Sequence, residues 1–91
     1  MTKEDLDIKS KLDSIAWTVS KINRDTANTA HFDITKHGYI VNFYESEIST
    51  FLCVIPFDEF GDPRTIQKLT DCEKRLLFEL RRSNQNTRRT I

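Results

Sequence analysis

The sequence predicts a single α+β domain with the element order helix, three-stranded antiparallel β-meander, helix. Apolar residues recur at helical spacing near both ends, whereas residues 31–57 form apolar and alternating runs separated by short polar turns. A chain of 91 residues has the length of one domain. We expect residues 1–83 to form that domain and residues 84–91 to form a flexible, disordered basic tail.

The first helix is predicted over residues 3–23. Thr2 and Asp5 have the spacing of a capping box, in which each side chain bonds the other residue's amide. At 100° per residue the apolar positions fall in one narrow stripe. They are Ile8, Leu12, Ile15, Val19 and Ile22. We expect this stripe to face the core of the same chain.

Three strands are predicted over residues 31–36, 39–44 and 48–57. Gly38 is expected to supply a positive φ in the first turn, and Ser46 and Glu47 form the second reversal. Short turns favour an antiparallel sheet in which consecutive strands pair.

The third strand is apolar on both faces. Its two faces carry Ile48, Leu52 and Val54, and Phe51, Cys53, Ile55 and Phe57. Because a half-solvated antiparallel strand alternates apolar and polar residues, something should cover both sides. If the two helices share one face, Phe51, Ile55 and Phe57 are expected to be left for a partner, for example a second copy in a homodimer.

The second helix has two possible starts. Asp62-Pro63 matches an N-cap followed by proline, and Thr70 begins a capping box with Glu73. The helix is expected to end near residue 83. In the acidic loop before it, Phe60 is interpreted either as a recognition anchor or as a residue that tucks into the core.

Composition argues against several classes of protein. The 14 basic and 14 acidic side chains cancel, which leaves no global field to attract nucleic acid or anionic lipid. No apolar run approaches the length of a membrane span, and the N-terminus lacks the apolar core of a signal peptide. The two cysteines form no CxxC motif, so we expect free thiols in a reducing cytoplasm.

No motif with a recognisable chemistry is present. His31, Asp33 and His37 are evenly spaced, but a turn at Gly38 should take His37 off the strand, so no metal site is predicted. No local signature pairs a cysteine with either histidine as nucleophile and base. We expect a protein without cofactor or catalysis; a small hydrolase or nuclease is the third hypothesis.

Trp17 and Phe78 lie opposite the apolar stripes of their helices. Tryptophan is enriched at binding hot spots because its ring buries a large area and its N–H keeps a polar contact. The leading hypothesis is therefore a small regulator or inhibitor that occludes a surface of a larger protein. A phage or mobile-element protein directed against host defence, such as an anti-CRISPR, is one form of this hypothesis.

The alternative is a nucleic-acid-binding regulator that uses the basic C-terminal region. Arginine tails contact phosphates without reading sequence. The residues concerned are Arg81, Arg82, Arg88 and Arg89. The element order resembles that of the double-stranded-RNA-binding domain, which implies an RNA partner. The lysine-rich start of that family's second helix is replaced here by Asp62-Pro63-Arg64-Thr65.

Overall fold

The architecture is a helix, a three-stranded antiparallel sheet and a second helix, which confirms the predicted α+β order. The computed structural model describes residues 2–89, and it describes side chains from residue 2 to residue 83. The strands follow chain order, so β2 is central and β1 and β3 are edges. The elements are α1 (Lys3–Asp25), β1 (Thr29–Ile34), β2 (Gly38–Glu45), β3 (Ile48–Pro56), a short 3-10 helix (Phe57–Glu59) and α2 (Pro63–Arg89).

Helix α1 begins with the predicted capping box. Thr2 Oγ1 accepts a hydrogen bond from the amide of Asp5 at 3.1 Å, and the Asp5 carboxylate accepts one from the amide of Thr2 at 3.3 Å. These bonds satisfy amides that the first turn leaves without helical partners. Four residues of the predicted stripe are buried, with Ile15 and Ile22 inaccessible to solvent, and Leu12 is half-buried against the same core.

The turn between β1 and β2 shows why residue 38 is glycine. Thr35 Oγ1 accepts hydrogen bonds from the amides of His37 and Gly38, each at 3.2 Å. Gly38 is the first residue of β2 rather than a loop residue. A Cβ at Gly38 would overlap the backbone of Ile55 and Pro56. The close approach of β3 therefore excludes a side chain at this position.

Strand β3 contains a β-bulge at Thr50. Phe51 pairs with Phe43 of β2, whereas Ser49 pairs with Tyr44, so Thr50 has no pairing partner of its own. The bulge reverses the face on which the start of the strand lies, because side chains alternate along a strand.

Ile48 is the residue whose face the bulge changes. It pairs with Glu45, whose carboxylate bonds Arg82 of α2, so Ile48 lies on the helix side of the sheet. Simple alternation had grouped Ile48 with Leu52 and Val54, and that grouping is wrong. An apolar pattern does not reveal where a bulge lies.

Both helices cover the same face of the sheet. Phe51, Ile55 and Phe57, expected to be left uncovered, belong to this face. That expectation is wrong for Ile55, which is inaccessible, and for Phe51, which is half-buried with the Arg75 guanidinium over its ring. Phe57 alone among the three is exposed, at 38%. The fully buried sheet residues of this core are Ala30, Val41, Phe43 and Ile55.

Helix α2 is continuous from Pro63, which decides between the two predicted starts. Asp62 Oδ1 accepts a hydrogen bond from the amide of Arg64 at 2.9 Å, and proline in the first turn loses no helical bond. Thr70 lies inside the helix, where its hydroxyl donates to the carbonyl of Ile66 at 2.8 Å.

The end of α2 lies beyond the predicted one. Its backbone is helical to Arg89, whereas the sequence predicted an end near residue 83. The side chains of residues 84–91 lie outside the described part of the chain, so the flexible tail remains a prediction.

Candidate protein-docking surface

Trp17 projects from α1 on the side opposite the buried stripe. Its exposed fraction is 59%, although tryptophan is a highly buried residue on average. The Lys21 ammonium and the Arg24 guanidinium each lie 5.8 Å from the ring centroid, within cation–π range. The chain's only tryptophan therefore lies in a basic setting and remains largely accessible.

Phe78 occupies the equivalent position on α2. Its exposed fraction is also 59%. Lys74 and Arg81, both exposed, lie about one helical turn before and after it on the same side of the helix. The predicted placement of both rings opposite the core stripes is confirmed.

The two rings both point away from the sheet, because each lies opposite the buried stripe of its helix and both helices cover the same face of the sheet. The two helices also run parallel, so their corresponding ends lie side by side. Each helix joins the sheet through a chain reversal, and β1 and β3 run in the same direction on either side of β2. Asn28 Nδ2 donates a hydrogen bond to Ser83 Oγ, which ties the loop after α1 to α2. Trp17 and Phe78 each lie within roughly two helical turns of that end. We define the outer helix face as Trp17, Lys21, Arg24, Lys74, Phe78 and Arg81.

The outer helix face is basic. Its four cations are partly offset by the exposed Asp13, one helical turn before Trp17, and by Asp25, whose carboxylate lies 3.0 Å from Arg24 Nε and 3.3 Å from Lys21 Nζ. The hydrogen bond from Arg24 lowers the pKa of Asp25 below its usual value, so this carboxylate stays ionised at neutral pH. A net positive charge remains around the two rings, and it suits a partner with acidic groups.

Arg82 is engaged inside the chain. Its guanidinium lies 2.6 Å from Glu45 Oε2 and 2.7 Å from Glu79 Oε2, and Arg75 Nε lies 3.1 Å from Glu79 Oε1. Hydrogen bonds to both carboxylates raise the pKa of Arg82, and the bond from Arg82 lowers the pKa of Glu45. The network compensates the buried charge of Glu79 and ties α2 to the end of β2.

Two of the arginines predicted to contact nucleic acid, Arg81 and Arg82, have different surroundings in the structure. Arg81 is exposed on the outer helix face, whereas Arg82 is occupied by Glu45 and Glu79. The side chains of Arg88 and Arg89 lie outside the described residues.

Phe60 belongs to an aromatic cluster of the chain itself. Its ring stacks on Tyr39 at a centroid distance of 6.3 Å and meets Phe57 edge-on at 5.6 Å. Phe32 also packs against Tyr39, with the ring centroids 5.6 Å apart. Of the two interpretations open for Phe60, the structure shows the intramolecular contact, which pins the loop before α2 to the sheet.

The strand register separates His31 from the thiols. His31 pairs with Asn42, and Asn42 pairs with Leu52, so these residues share the face of the sheet away from the helices. Cys53 points to the helix side, where Cys72 of α2 is its neighbour. His31 is therefore not placed to act as a base toward Cys53. His37 is exposed in the turn between β1 and β2.

The open face of the sheet carries apolar residues that the sequence did not assign to a partner. We define this face by Ile40, Asn42, Leu52 and Val54; Leu52 is 59% exposed and Val54 is 48% exposed. Because β3 is apolar on both faces, its own pattern does not tell the covered side from the uncovered one. The missed signal lies in β2, where Asn42 in a central strand marks the uncovered side.

Comparison with protein-family models, curated proteins and solved structures finds no match for this chain. Neither helix, in the part of the chain that the structure describes, combines the length and apolar character needed to cross a membrane. Within the same residues, no three His, Cys, Asp or Glu side chains are grouped so that they could hold a metal ion.

Proposed function

We propose that this chain is a small, non-enzymatic protein-binding regulator that covers a surface of a larger protein with its outer helix face. The observation that carries the proposal is the exposure of Trp17. Burying a large apolar ring against a partner lowers the free energy of the complex, and tryptophan is among the commonest hot-spot residues. Phe78 supplies a second apolar anchor on the parallel helix.

The charge around the anchors indicates the chemistry of the partner. Lys21, Arg24, Lys74 and Arg81 surround apolar rings with cations. Such a surface fits a protein with an apolar cleft bordered by Asp and Glu, because the charges speed association and the rings supply the affinity. Both thiols are free, which fits a reducing compartment such as the cytoplasm.

Nucleic acid is the rival partner for the same basic surface. Exposed Arg81 and Lys74 suit phosphate contacts, and aromatic rings can stack on unpaired bases. We favour protein because Arg82 is engaged by two carboxylates and the charges of the whole chain cancel. Binding to nucleic acid by phosphate contacts would fall steeply with added salt.

The test compares binding by four forms of the protein in lysate of the native host, with and without nuclease treatment. The wild type should capture a defined protein, and Trp17→Ala and Phe78→Ala should each lose it. Ile34→Ala is the matched control, because Ile34 is 72% exposed at the end of β1, away from the outer helix face. With the purified partner, the emission of Trp17, the chain's only tryptophan, should shift to shorter wavelength as the ring is buried.

Two outcomes would overturn the proposal. One is equal capture by the wild type and both ring variants, with circular dichroism showing that all of them are folded. The other is a complex that nuclease treatment removes, which would assign the outer helix face to nucleic acid.

A further inference from the structure

Between the bulge at Thr50 and Pro56, the outer edge of β3 lacks the charged side chains that usually protect an edge strand. Natural sheets protect their edges with charged side chains, above all lysine, and β3 has no charged residue from Ile48 to Pro56. The opposite edge, β1, contains the exposed Asp33. Among the described residues, β2 is the only strand that pairs with β3. The free edge of β3 is therefore open to a further strand.

Leu52 and Val54 direct their backbone groups to that free edge. Phe57 donates its amide proton to the carbonyl of His37 at 2.9 Å, which continues the ladder between β2 and β3. In an antiparallel ladder, hydrogen-bonded pairs alternate with pairs whose N–H and C=O groups point outward. Counting back two residues at a time from Phe57, the residues whose backbone groups bond β2 are Ile55, Cys53 and Phe51. The residues between them, Leu52 and Val54, are the outward-pointing ones.

A second copy of β3 complements this edge. We propose that two copies of the chain pair antiparallel through β3, about a two-fold axis at Cys53, to form one continuous six-stranded sheet from two three-stranded ones. Leu52 of each copy then lies opposite Val54 of the other. Both residues point outward, so the two pairs exchange about four backbone hydrogen bonds.

The side chains support the same register. Leu52 and Val54 are the exposed aliphatic residues on the open face, and the pairing brings each against its counterpart in the second copy. Because β3 is uncharged, the two-fold axis places no like charges opposite each other within the strand pair. The bulge at Thr50 and the proline at residue 56 end the regular pairing on either side.

Pairing at this edge leaves the outer helix face free. Both helices lie on one side of the sheet, so a dimer would present two copies of Trp17 and Phe78 on the same side. The inference does not depend on the proposed function, because it concerns a different edge of the molecule. If both hold, a partner with two sites would be bound more tightly than one with a single site.

Sedimentation equilibrium at micromolar concentrations tests the pairing. The wild type should show twice the 10.7 kDa mass of the chain. Leu52→Lys should sediment as a monomer, because it places a charged side chain on the paired edge. Ile34→Lys is the matched control and should remain a dimer, because it introduces lysine at an exposed aliphatic site on β1, away from the paired edge. A wild-type monomer, or a dimer that Leu52→Lys leaves intact, would overturn the proposal.

A disulfide tests the register directly, and it does not depend on whether Leu52→Lys folds. Across the axis the two Cys53 residues form a pair without backbone hydrogen bonds, with Cα atoms about 4.5 Å apart, within the range for a disulfide. Cys72→Ser leaves Cys53 as the sole thiol. Oxidised glutathione should convert this variant to a covalent dimer, and the double variant that also has Cys53→Ser should stay uncrosslinked. A non-covalent dimer whose Cys53 thiols do not join would contradict the axis proposed here.

Discussion

At the scale of single residues, the thiols of Cys53 and Cys72 meet where α2 crosses β3, and they differ in burial. Cys72 is inaccessible to solvent, and Cys53 is half-buried. The hydrogen bond from Cys72 lowers the pKa of Cys53, whereas that bond and burial raise the pKa of Cys72. A thiolate at Cys53 is therefore stabilised by a neighbour that keeps its own proton.

We expect iodoacetamide to label Cys53 before Cys72 in dilute native protein. The thiolate is the reactive form, so the labelling rate of Cys53 should rise at a lower pH than that of an ordinary cysteine. Cys72→Ala removes the hydrogen-bond donor and should move this rise to higher pH. The measurement is the rate of mass gain by peptide mass spectrometry across a pH series. A pH profile that Cys72→Ala does not move would show that the hydrogen bond does not set the reactivity.

Single residues also show how far a pattern predicts exposure. The angular positions of Trp17 and Phe78 placed both rings outside the core, and both are exposed. The same reasoning left Phe60 undecided, because its contact with Tyr39 joins residues far apart in the chain. Helical periodicity reports the local direction of a side chain. It does not report what a loop residue meets after folding.

At the scale of elements, the turn between β2 and β3 departs from the residues that its geometry favours. Ser46 and Glu47 have φ values of 52° and 69°, the left-handed region needed at both central positions of a two-residue hairpin. Asparagine and glycine are usual there, because other residues place Cβ too close to the backbone. The turn forms because the pairing of its two strands outweighs this strain.

Glu47→Gly should stabilise the protein. Glycine relieves a left-handed conformation that costs a side-chain-bearing residue about 1 kcal/mol, and this gain is reduced by the greater freedom of glycine in the unfolded chain. The measurement is the midpoint of urea unfolding, which should rise. Glu47→Ala is the control: it removes the same charge but keeps a Cβ, so it should bring no such gain. Equal midpoints for the two variants would show that backbone strain at residue 47 does not limit stability.

Element types and their order were predictable, whereas the details of β3 were not. Capping boxes and apolar stripes are local, and the Thr2 box and the stripe of α1 appear as predicted. The start of α2 needed a choice between two local signals; the helix begins at Asp62-Pro63, and Thr70 bonds a carbonyl within it. The Thr50 bulge depends on pairing with β2, so the residues of β3 alone do not reveal it.

At the scale of the whole molecule, the covered face of the sheet decides which residues are available to a partner. Both faces of β3 are apolar, so the sequence pointed to Phe51 and Ile55 as partner residues, whereas the structure leaves Leu52 and Val54 exposed. The central strand β2 indicates which face of the sheet the helices cover, because Phe43 is fully buried on one side and the polar Asn42 lies on the other. A strand with contrasting faces is thus a better guide to the covered side than a uniformly apolar one.

The whole molecule has one core, to which both helices and all three strands contribute. Leu76 of α2 is inaccessible within it. Leu76→Ala should lower the free energy of unfolding by about 3 kcal/mol, because it removes buried methyl groups and leaves a cavity. A domain of this size has only about 5–15 kcal/mol of stability, so the loss should move the urea midpoint substantially.

The same substitution tests whether the layers unfold together. Far-ultraviolet circular dichroism reports mainly the helices, and near-ultraviolet dichroism reports the packed aromatic residues around Tyr39, so the two signals should fall at one midpoint in the wild type and in Leu76→Ala. Leu77→Ala is the control. Leu77 is next to Leu76 but only half-buried, so its truncation should lower the free energy of unfolding by about 1 kcal/mol. Equal losses for the two leucines would place Leu76 outside the core. Separate midpoints for helix and sheet signals would mean that α2 detaches before the sheet unfolds.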